Sequence, residues 1–271
     1  MVKTASRTAD RESGVIDAAG YRLAAGRWRA RTDMGKRPIL FLNGFGGSVA
    51  SAIGFITAFD DRDVIAFDVP GLGRSPDTPV PYSPMAMADA VVAILDHYDC
   101  AVADVVGLSW GGLLAQQIAL QHAGRVGRLV LAATSTGMVM VPPDLSQWAH
   151  GIDKDGVDYG IVQRCIATAS DWSNGVMDQM KRQRPRIGPG MLYQSLAFTG
   201  WSSAPWLTMM LRAPTLILAN RHDPVVPMPN AIWLQQLIAG ARLETVDSGG
   251  HFFLLSETDA ARALIVDFLD G

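Results

Sequence analysis

The sequence is poor in the features that mark disulfide-rich, membrane-spanning and nucleic-acid-binding proteins. Its 271 residues include two cysteines, Cys100 and Cys165, which are too few for a disulfide framework. No apolar run reaches the roughly 18 residues that indicate a membrane span. A net charge of −3 gives no basic footprint for nucleic acid. Residues 1–10 carry charge with no apolar stretch behind them, so we expect a cytoplasmic protein without a secretory signal, with a mature secreted form as the alternative.

Signatures of metals and cofactors are also missing. The two cysteines and five histidines are scattered without metal-ligand spacing, and no Walker-type lysine follows a glycine loop. The stretch from Gly44 to Gly47, with Asp68 at the end of the next strand, has a second interpretation as a dinucleotide-binding turn. That turn needs a small residue where Val49 stands, because a larger side chain obstructs the close packing of helix on strand. We expect neither a metal site nor a cofactor.

What the chain has is a hydrophobic content of 49%, enough for one large α/β domain with an inserted subdomain. Apolar runs predict eight strands, near 15–19, 22–29, 38–42, 63–68, 103–107, 128–133, 214–219 and 242–246. Most of them alternate with helical stretches, which predicts a mostly parallel sheet with helices on both faces. Ala18-Ala19-Gly20 reads as a turn between the first two strands, so that edge is expected to be antiparallel.

The most informative motif is Gly107-Leu108-Ser109-Trp110-Gly111, which lies between a predicted strand and a predicted helix. A serine on a sharp strand-to-helix turn has a strained backbone that presents its hydroxyl above the sheet, and small flanking residues avoid clashes. Because glycine and serine are common, the motif alone does not establish catalysis. Ser109 becomes a candidate nucleophile if an acid and a histidine follow it in that order.

Both partners of such a serine follow along the chain. Asp223 comes just after a buried strand, and His251 follows two glycines after the last strand. Taken alone, Asp223 reads as a turn acid before a proline and His251 as a loop residue, but their order and positions predict a catalytic triad with Ser109. His222 shares a tight turn with Asp223 and is poorly placed as the base. The remaining histidines lie in or beside helical stretches: His97, His122 and His150.

A tetrahedral oxyanion needs two hydrogen-bond donors, and the sequence offers one after each of two strands. The main-chain N–H of Trp110, directly after the candidate nucleophile, is one donor. The other is expected at Phe45, in the loop after the strand at 38–42, because the flanking glycines let that backbone approach a ligand closely. Phe45 and Trp110 are therefore the predicted oxyanion hole.

The alternation of strands and helices breaks in one segment, which we predict to be a helical cap at 137–207 over a core of 1–136 and 208–271. Flexible and aromatic side chains over a reactive serine suit an apolar substrate, although packing within the cap is the simpler explanation for any single one. A basic run at 181–186 is expected to be solvated, with docking on an anionic particle as the alternative. The large side chains are Met138, Met140, Trp148, Trp172, Met177, Met180, Met191, Trp201, Trp206, Met209 and Met210.

Motifs that cover the predicted sheet and both ends of the insertion carry a family resemblance. They are Asn43-Gly44 and the stretches 64–71, 107–112, 114–117, 129–134, 139–142, 200–202, 206–207, 214–216 and 223–224. Together they resemble the α/β-hydrolase superfamily and, within it, the intracellular depolymerases of medium-chain-length polyhydroxyalkanoates. The middle of the insertion, about 143–198, carries little of this resemblance.

The resemblance implies an α/β-hydrolase fold and a cofactor-free serine hydrolase that cuts ester bonds between 3-hydroxyacyl units. It places the family's triad on Ser109, Asp223 and His251. We further predict substrate contacts at a set of loop and cap residues, namely Asn43, Gly44, Met138, Trp201 and Trp206.

Several other functions on the same scaffold stay open. A general carboxylesterase or lipase would use the same triad on medium-chain acyl esters. A carbon–carbon bond hydrolase and a cofactor-free haloperoxidase-like enzyme are more distant alternatives. A ligand-binding receptor is disfavoured because no member of the triad is missing. For partners, a small-molecule or polyester substrate is expected, and a polyester granule surface and a homodimer remain open.

Overall fold

The structure is a computed structural model that describes residues 11–138, 140–142 and 188–271. Between the second and third of these ranges it also describes the backbone of Ile152–Asp153 (β7) and Gly156–Val157 (β8), which pair antiparallel. The sequence predictions at Trp148, Trp172, Met177, Met180, His150 and the basic run at 181–186 lie outside the described residues.

One large sheet organises the described residues. Its strands are Arg11–Ala18 (β1), Tyr21–Trp28 (β2), Ile39–Leu42 (β3), Val64–Phe67 (β4), Ala103–Leu108 (β5), Val126–Ala132 (β6), Thr215–Asn220 (β9) and Arg242–Val246 (β10). Their order across the sheet is β1-β2-β4-β3-β5-β6-β9-β10. β2 runs antiparallel to β1 and to β4, and the other neighbours pair in parallel. The prediction of an eight-stranded, mostly parallel sheet with an antiparallel leading edge is confirmed.

The burial of the strands follows from their place in the sheet. Every residue of β3, β4, β5 and β9 is buried, as expected for parallel strands covered on both faces. At one edge, β1 begins with five exposed residues, and at the other edge β10 has a single buried residue. The continuous apolar runs in the sequence therefore mark the central strands.

Helices cover both faces of the sheet. They are Ile53–Ile56 (α1), Pro84–His97 (α2), Trp110–Gln121 (α3), Pro189–Ala197 (α4), Ala204–Met210 (α5), Pro229–Leu237 (α6), Phe253–Ser256 (α7) and Thr258–Asp270 (α8). One hydrophobic cluster packs beneath α2, α3, α5 and α6, and a second packs beneath α1, α7 and α8. No helix in the described ranges is long and apolar enough to cross a bilayer.

The chain reverses its direction across the sheet between β3 and β5. β4 lies on one side of β3 and β5 lies on the other, and Leu42 at the end of β3 pairs with Gly107 in β5. In open α/β sheets the crevice at such a reversal, beyond the carboxyl ends of the strands, is where ligands bind. The glycine-rich loop at 43–48 and Ser109 both leave the sheet at this crevice.

The chain between β6 and β9, which we call the insertion, leaves the sheet and returns to it at one paired junction. Gly137 forms an antiparallel bridge with Ser202, and the Met138 N–H donates to the Trp201 main-chain oxygen over 2.9 Å. A Cβ on Gly137, whose φ is +93°, would lie 2.5 Å from that same Trp201 oxygen, so the two segments are in backbone contact. α4 lies within the insertion, and α5 continues past the boundary predicted at 207. The division into core and cap stays a prediction.

Candidate active site

Ser109 lies on the sharp turn between β5 and α3, with φ of +53° and ψ of −115°. A residue with a side chain rarely adopts this left-handed φ, so the turn is strained. The Ser109 N–H donates to the Ala132 main-chain oxygen over 2.8 Å, which ties the turn to the end of β6. A Cβ on Gly111 would collide with the main-chain oxygen of Leu42, and one on Gly107 would collide with the Gly111 main chain. Both glycines are therefore required by packing.

The three residues of the predicted triad form one continuous hydrogen-bonded chain. His251 Nε2 lies 2.9 Å from Ser109 Oγ, and His251 Nδ1 lies 2.8 Å from Asp223 Oδ2. A carboxylate oxygen accepts, so Nδ1–H donates to Asp223 and Nε2 is left to accept the serine proton. His251 and Asp223 are both buried, which shields the hydrogen bond between them from water. Sequence reasoning found these three residues, and the structure brings them together.

The acid is held in place by its own turn. Asp223 Oδ1 accepts the main-chain N–H groups of Val225 and Val226 over 2.8 and 2.9 Å, which leaves Oδ2 free for His251. With one oxygen fixed by two donors, the carboxylate cannot rotate away from the imidazole. The turn therefore orients the acid before any substrate arrives.

Asn220 is a buried positioning residue that sequence reasoning missed. Its Nδ2 donates to the Ser248 main-chain oxygen over 2.6 Å, and its Oδ1 accepts the His222 N–H over 2.8 Å. The same side chain thus joins the turn that carries Asp223 to the loop that carries His251. A polar residue at the buried end of β9, just before the acid, was the available signal.

The other described histidines lie away from the serine. His122 Nε2 contacts Asp89 Oδ1 at 2.8 Å on the protein surface, and His97 packs edge-on against Tyr98. His222 is exposed on the turn beside the acid. These positions leave His251 as the histidine that reaches Ser109 within the described residues.

The predicted oxyanion donors lie on the two loops that flank the crevice. A Cβ on Gly44 would lie 3.5 Å from the Ser109 Cβ, so the loop at 43–48 passes directly over the nucleophile. Among the described residues, neither the Phe45 N–H nor the Trp110 N–H has a protein acceptor. Two main-chain donors beside a serine are what a developing oxyanion requires. The assignment of Phe45 and Trp110 to this role stays a prediction.

Two family models match parts of this chain. A family model described as alpha/beta hydrolase fold matches residues 37–160, and one described as TAP-like protein matches residues 201–271. The poly(3-hydroxyalkanoate) depolymerase of Ectopseudomonas oleovorans is 36% identical over 242 residues, which cover 86% of this chain and 84% of that protein. The chain belongs to the α/β-hydrolase family. The fold and the superfamily predicted from the motifs are thereby confirmed.

Two more distant enzymes match most of the chain, one in sequence and one in structure. The 2-hydroxymuconate semialdehyde hydrolase of Pseudomonas sp. (strain CF600) is 26% identical over 250 residues, 86% of each chain. The enol-lactonase from Burkholderia xenovorans LB400 superimposes with a TM-score of 0.77 at 22% identity, covering 95% of this chain and 100% of that one. The second comparison shows the fold alone.

The residues predicted to contact substrate occupy three kinds of position in this α/β-hydrolase. Met138 and Trp206 are exposed near the junction of the insertion, with 65% and 51% of their surface accessible. Trp201 is held at that junction, where its Nε1–H donates to Gln117 Oε1 over 2.8 Å. Asn43 turns its side chain into its own loop, and Gly44 lies over the serine. Their roles toward a substrate stay predictions.

Asp68, the acid of the dinucleotide interpretation, organises two loops of the hydrolase instead. Its Oδ1 accepts the Val49 N–H over 2.6 Å, and its Oδ2 accepts the Arg74 N–H over 2.9 Å. Burial raises the pKa of Asp68, although both hydrogen bonds oppose this rise. Because main-chain donors occupy both carboxylate oxygens, no acid is left there to hold a ribose.

Proposed function

We propose that this hydrolase cleaves carboxylic esters through an acyl-enzyme on Ser109, and that its substrate is a medium-chain 3-hydroxyalkanoate polyester or oligomer. The observation that carries the first part is the continuous chain from Asp223 through His251 to Ser109. A serine hydroxyl is a weak nucleophile near neutral pH, and an oriented imidazole within hydrogen-bond reach supplies the base that it needs.

The reaction proceeds in two balanced steps. Ser109 Oγ attacks the ester carbonyl while His251 Nε2 takes its proton, and the oxyanion accepts the N–H groups of Phe45 and Trp110. The C–O bond then breaks, and the departing alcohol takes the proton from His251 to leave an acyl-serine. Water next gives a proton to His251 and attacks the acyl carbon. Release of the acid returns the proton to Ser109.

The choice of substrate is supported by sequence similarity and by the composition of the insertion. The relative that shares 36% identity over most of both chains is a poly(3-hydroxyalkanoate) depolymerase. Methionine and tryptophan side chains exposed near the junction of the insertion, among them Met138 and Trp206, suit an apolar acyl chain. A helical cap at 137–207 over the core, a cytoplasmic location and contact with a polyester granule surface are parts of the same proposal.

The proposal is tested by adding the purified protein to an amorphous suspension of medium-chain polyhydroxyalkanoate and measuring the loss of turbidity. Ser109→Ala serves as the control for settling and non-specific adsorption. We expect the wild-type suspension to clear and the variant suspension to stay turbid. Release of 3-hydroxy acid, followed by titration of the liberated carboxyl groups, checks that clearing reflects hydrolysis.

Each alternative function predicts a different outcome in these activity assays. Hydrolysis of soluble octanoate esters without clearing would overturn the polyester substrate and identify a carboxylesterase. Turnover of a ring-cleavage diketone in place of esters would identify a carbon–carbon bond hydrolase, and peracid formation would identify a haloperoxidase-like enzyme. If Ser109 does not react with a fluorophosphonate, the protein is not a serine hydrolase. That result would favour the ligand-binding receptor.

A further inference from the structure

The loop over Ser109 is built so that its peptide planes are fixed one by one. Asn43 Oδ1 accepts the Gly44 N–H over 2.8 Å, and the Gly44 main-chain oxygen accepts the Gly47 N–H over 3.0 Å. A trans peptide unit is planar, with its C=O and N–H pointing in opposite directions. The bond to the Gly44 oxygen therefore sets the direction of the Phe45 N–H, the candidate oxyanion donor.

The next peptide of the loop, between Phe45 and Gly46, is held by a residue of the insertion. Gln194 in α4 is 1% exposed, and its Oε1 accepts the Gly46 N–H over 2.8 Å. Its main-chain oxygen accepts the Nε1–H of Trp110 over 3.0 Å. One residue thus binds the peptide that follows Phe45 and also the side chain of Trp110, whose main chain carries the second candidate donor.

α4 is seated against the core by a backbone contact one turn before Gln194. A Cβ on Gly190 would lie 2.6 Å from the Gly71 main chain, so the helix and the turn at 68–75 touch without side chains between them. Residues four apart share a face of a helix, and Gly190 and Gln194 are both buried on that face. The close contact at Gly190 therefore keeps α4 near enough to the core for Gln194 Oε1 to accept the Gly46 N–H.

We infer that Gln194 is a positioning residue that forms the oxyanion hole from the insertion, by holding the Phe45–Gly46 peptide and the Trp110 side chain at once. The inference rests on the proposed acyl transfer. It makes ester turnover depend on α4 being seated on the core. A hydrogen-bond donor contributes to the transition state only when it already points at the oxyanion, so a loosened loop costs catalytic rate.

The first test compares Gln194→Leu with the wild type on p-nitrophenyl octanoate. Leucine keeps the bulk and the main-chain bond to Trp110 but removes the acceptor for Gly46. We expect kcat to fall roughly 10- to 100-fold with KM within about twofold, because the lost interaction acts on the transition state. Inhibition by octylboronic acid, whose tetrahedral adduct places an oxygen in the hole, should weaken by the same factor. Ser195→Ala, at an exposed position of the same helix, should match the wild type in both readouts.

A second variant tests the seating of the helix. In Gly190→Ala the added methyl collides with Gly71 and lifts α4, so kcat and boronate affinity should fall as they do in Gln194→Leu. Both substitutions break the hydrogen bond between Gln194 and Gly46. The kcat of the double variant should therefore be about equal to that of the slower single variant. Active sites are counted with a fluorophosphonate, so that kcat refers to folded, reactive enzyme only.

The outcomes separate this inference from the proposed function. If Gln194→Leu keeps both kcat and boronate affinity within about twofold of the wild type, Gln194 does not position the hole. A higher KM at unchanged kcat would also overturn the inference, since it would place Gln194 in ground-state binding. A wild type that neither turns over esters nor labels at Ser109 would overturn the proposed function itself.

Discussion

Ser203 donates its hydroxyl hydrogen to Gln116 Oε1 over 2.6 Å, and both side chains are buried. Gln116 lies in α3, two turns after the nucleophile, and its Nε2 donates to the main-chain oxygens of Gly112 and Ser135. The amide therefore joins three segments: the helix that follows Ser109, the chain that leaves the core and the chain that returns to it. The junction of the insertion is therefore anchored to α3, the helix that begins directly after Ser109.

Removal of the Ser203 hydroxyl should destabilise the protein through Gln116. Ser203→Ala leaves a buried amide oxygen without its donor, and we expect the free energy of unfolding to fall by about 1–3 kcal/mol. Urea denaturation followed by circular dichroism measures the change. Ser195→Ala, which removes an exposed hydroxyl bonded to its own helix at Met191, should stay within about 0.5 kcal/mol of the wild type. Equal midpoints for Ser203→Ala and the wild type would contradict the anchoring role.

The role of Asp223 can be separated from its structural bonds. In Asp223→Asn an amide oxygen still accepts the N–H groups of Val225 and Val226, but the side chain no longer stabilises a positively charged imidazole. We expect kcat on a soluble octanoate ester to fall by about 10⁴-fold with little change in KM. Asp247→Asn carries the same change at a nearby exposed acid and should behave as the wild type. Retention of more than about a tenth of the activity in Asp223→Asn would remove Asp223 from the mechanism.

The turn at Ser109 should tolerate no methyl group at Gly111. In Gly111→Ala the added Cβ meets the main-chain oxygen of Leu42, which cannot move without shifting β3. We expect a loss of about 3 kcal/mol or more in the free energy of unfolding. Gly124→Ala is the matched control, since its Cβ would enter open space, and reducing unfolded-state entropy there should stabilise by up to about 1 kcal/mol. Thermal melts of the two variants side by side make the comparison.

The sheet and the candidate triad could be predicted because their signals are local. Apolar runs marked the central strands, and the glycines around Ser109 and before His251 marked turns that few other residues permit. Each triad member follows a strand end, so the topology of a parallel sheet brings them to one edge. The structure then supplied the distances that join them.

The polar contacts that hold the site could not be predicted in the same way. Gln194 binds Gly46 across 148 positions of sequence, and Gln116 binds Ser203 across 87. A glutamine on a helix gives no local sign that its side chain is buried and bonded to a distant loop. The hydrogen bonds of the Asn43 side chain to Gly44 and Ser48 within its own loop were likewise not predicted, and its contact with substrate stays a prediction. Such pairings depend on tertiary packing.

An ion-pair cluster near the last helix should make stability depend on acidity. Partial burial disfavours the charge on Asp61, but hydrogen bonds from Arg62 and Lys36 outweigh it and lower the pKa of Asp61 from 3.8 to about 2. Arg62, which is buried, also pairs with Asp270 at the end of α8. The cluster therefore fastens the segment before β4 to the end of the chain.

The sign of the pH effect follows from the lowered pKa. The folded chain binds a proton at Asp61 less readily than the unfolded chain, so this carboxylate's contribution is complete above pH 3.8 and is lost as the pH falls towards 2. We expect Asp61→Asn to be less stable than the wild type above that range and equal to it near the lower end. Because the pair is partly exposed, the difference should not exceed about 1 kcal/mol. Urea midpoints measured across this range check it, and a gap that widens on acidification would contradict the assignment.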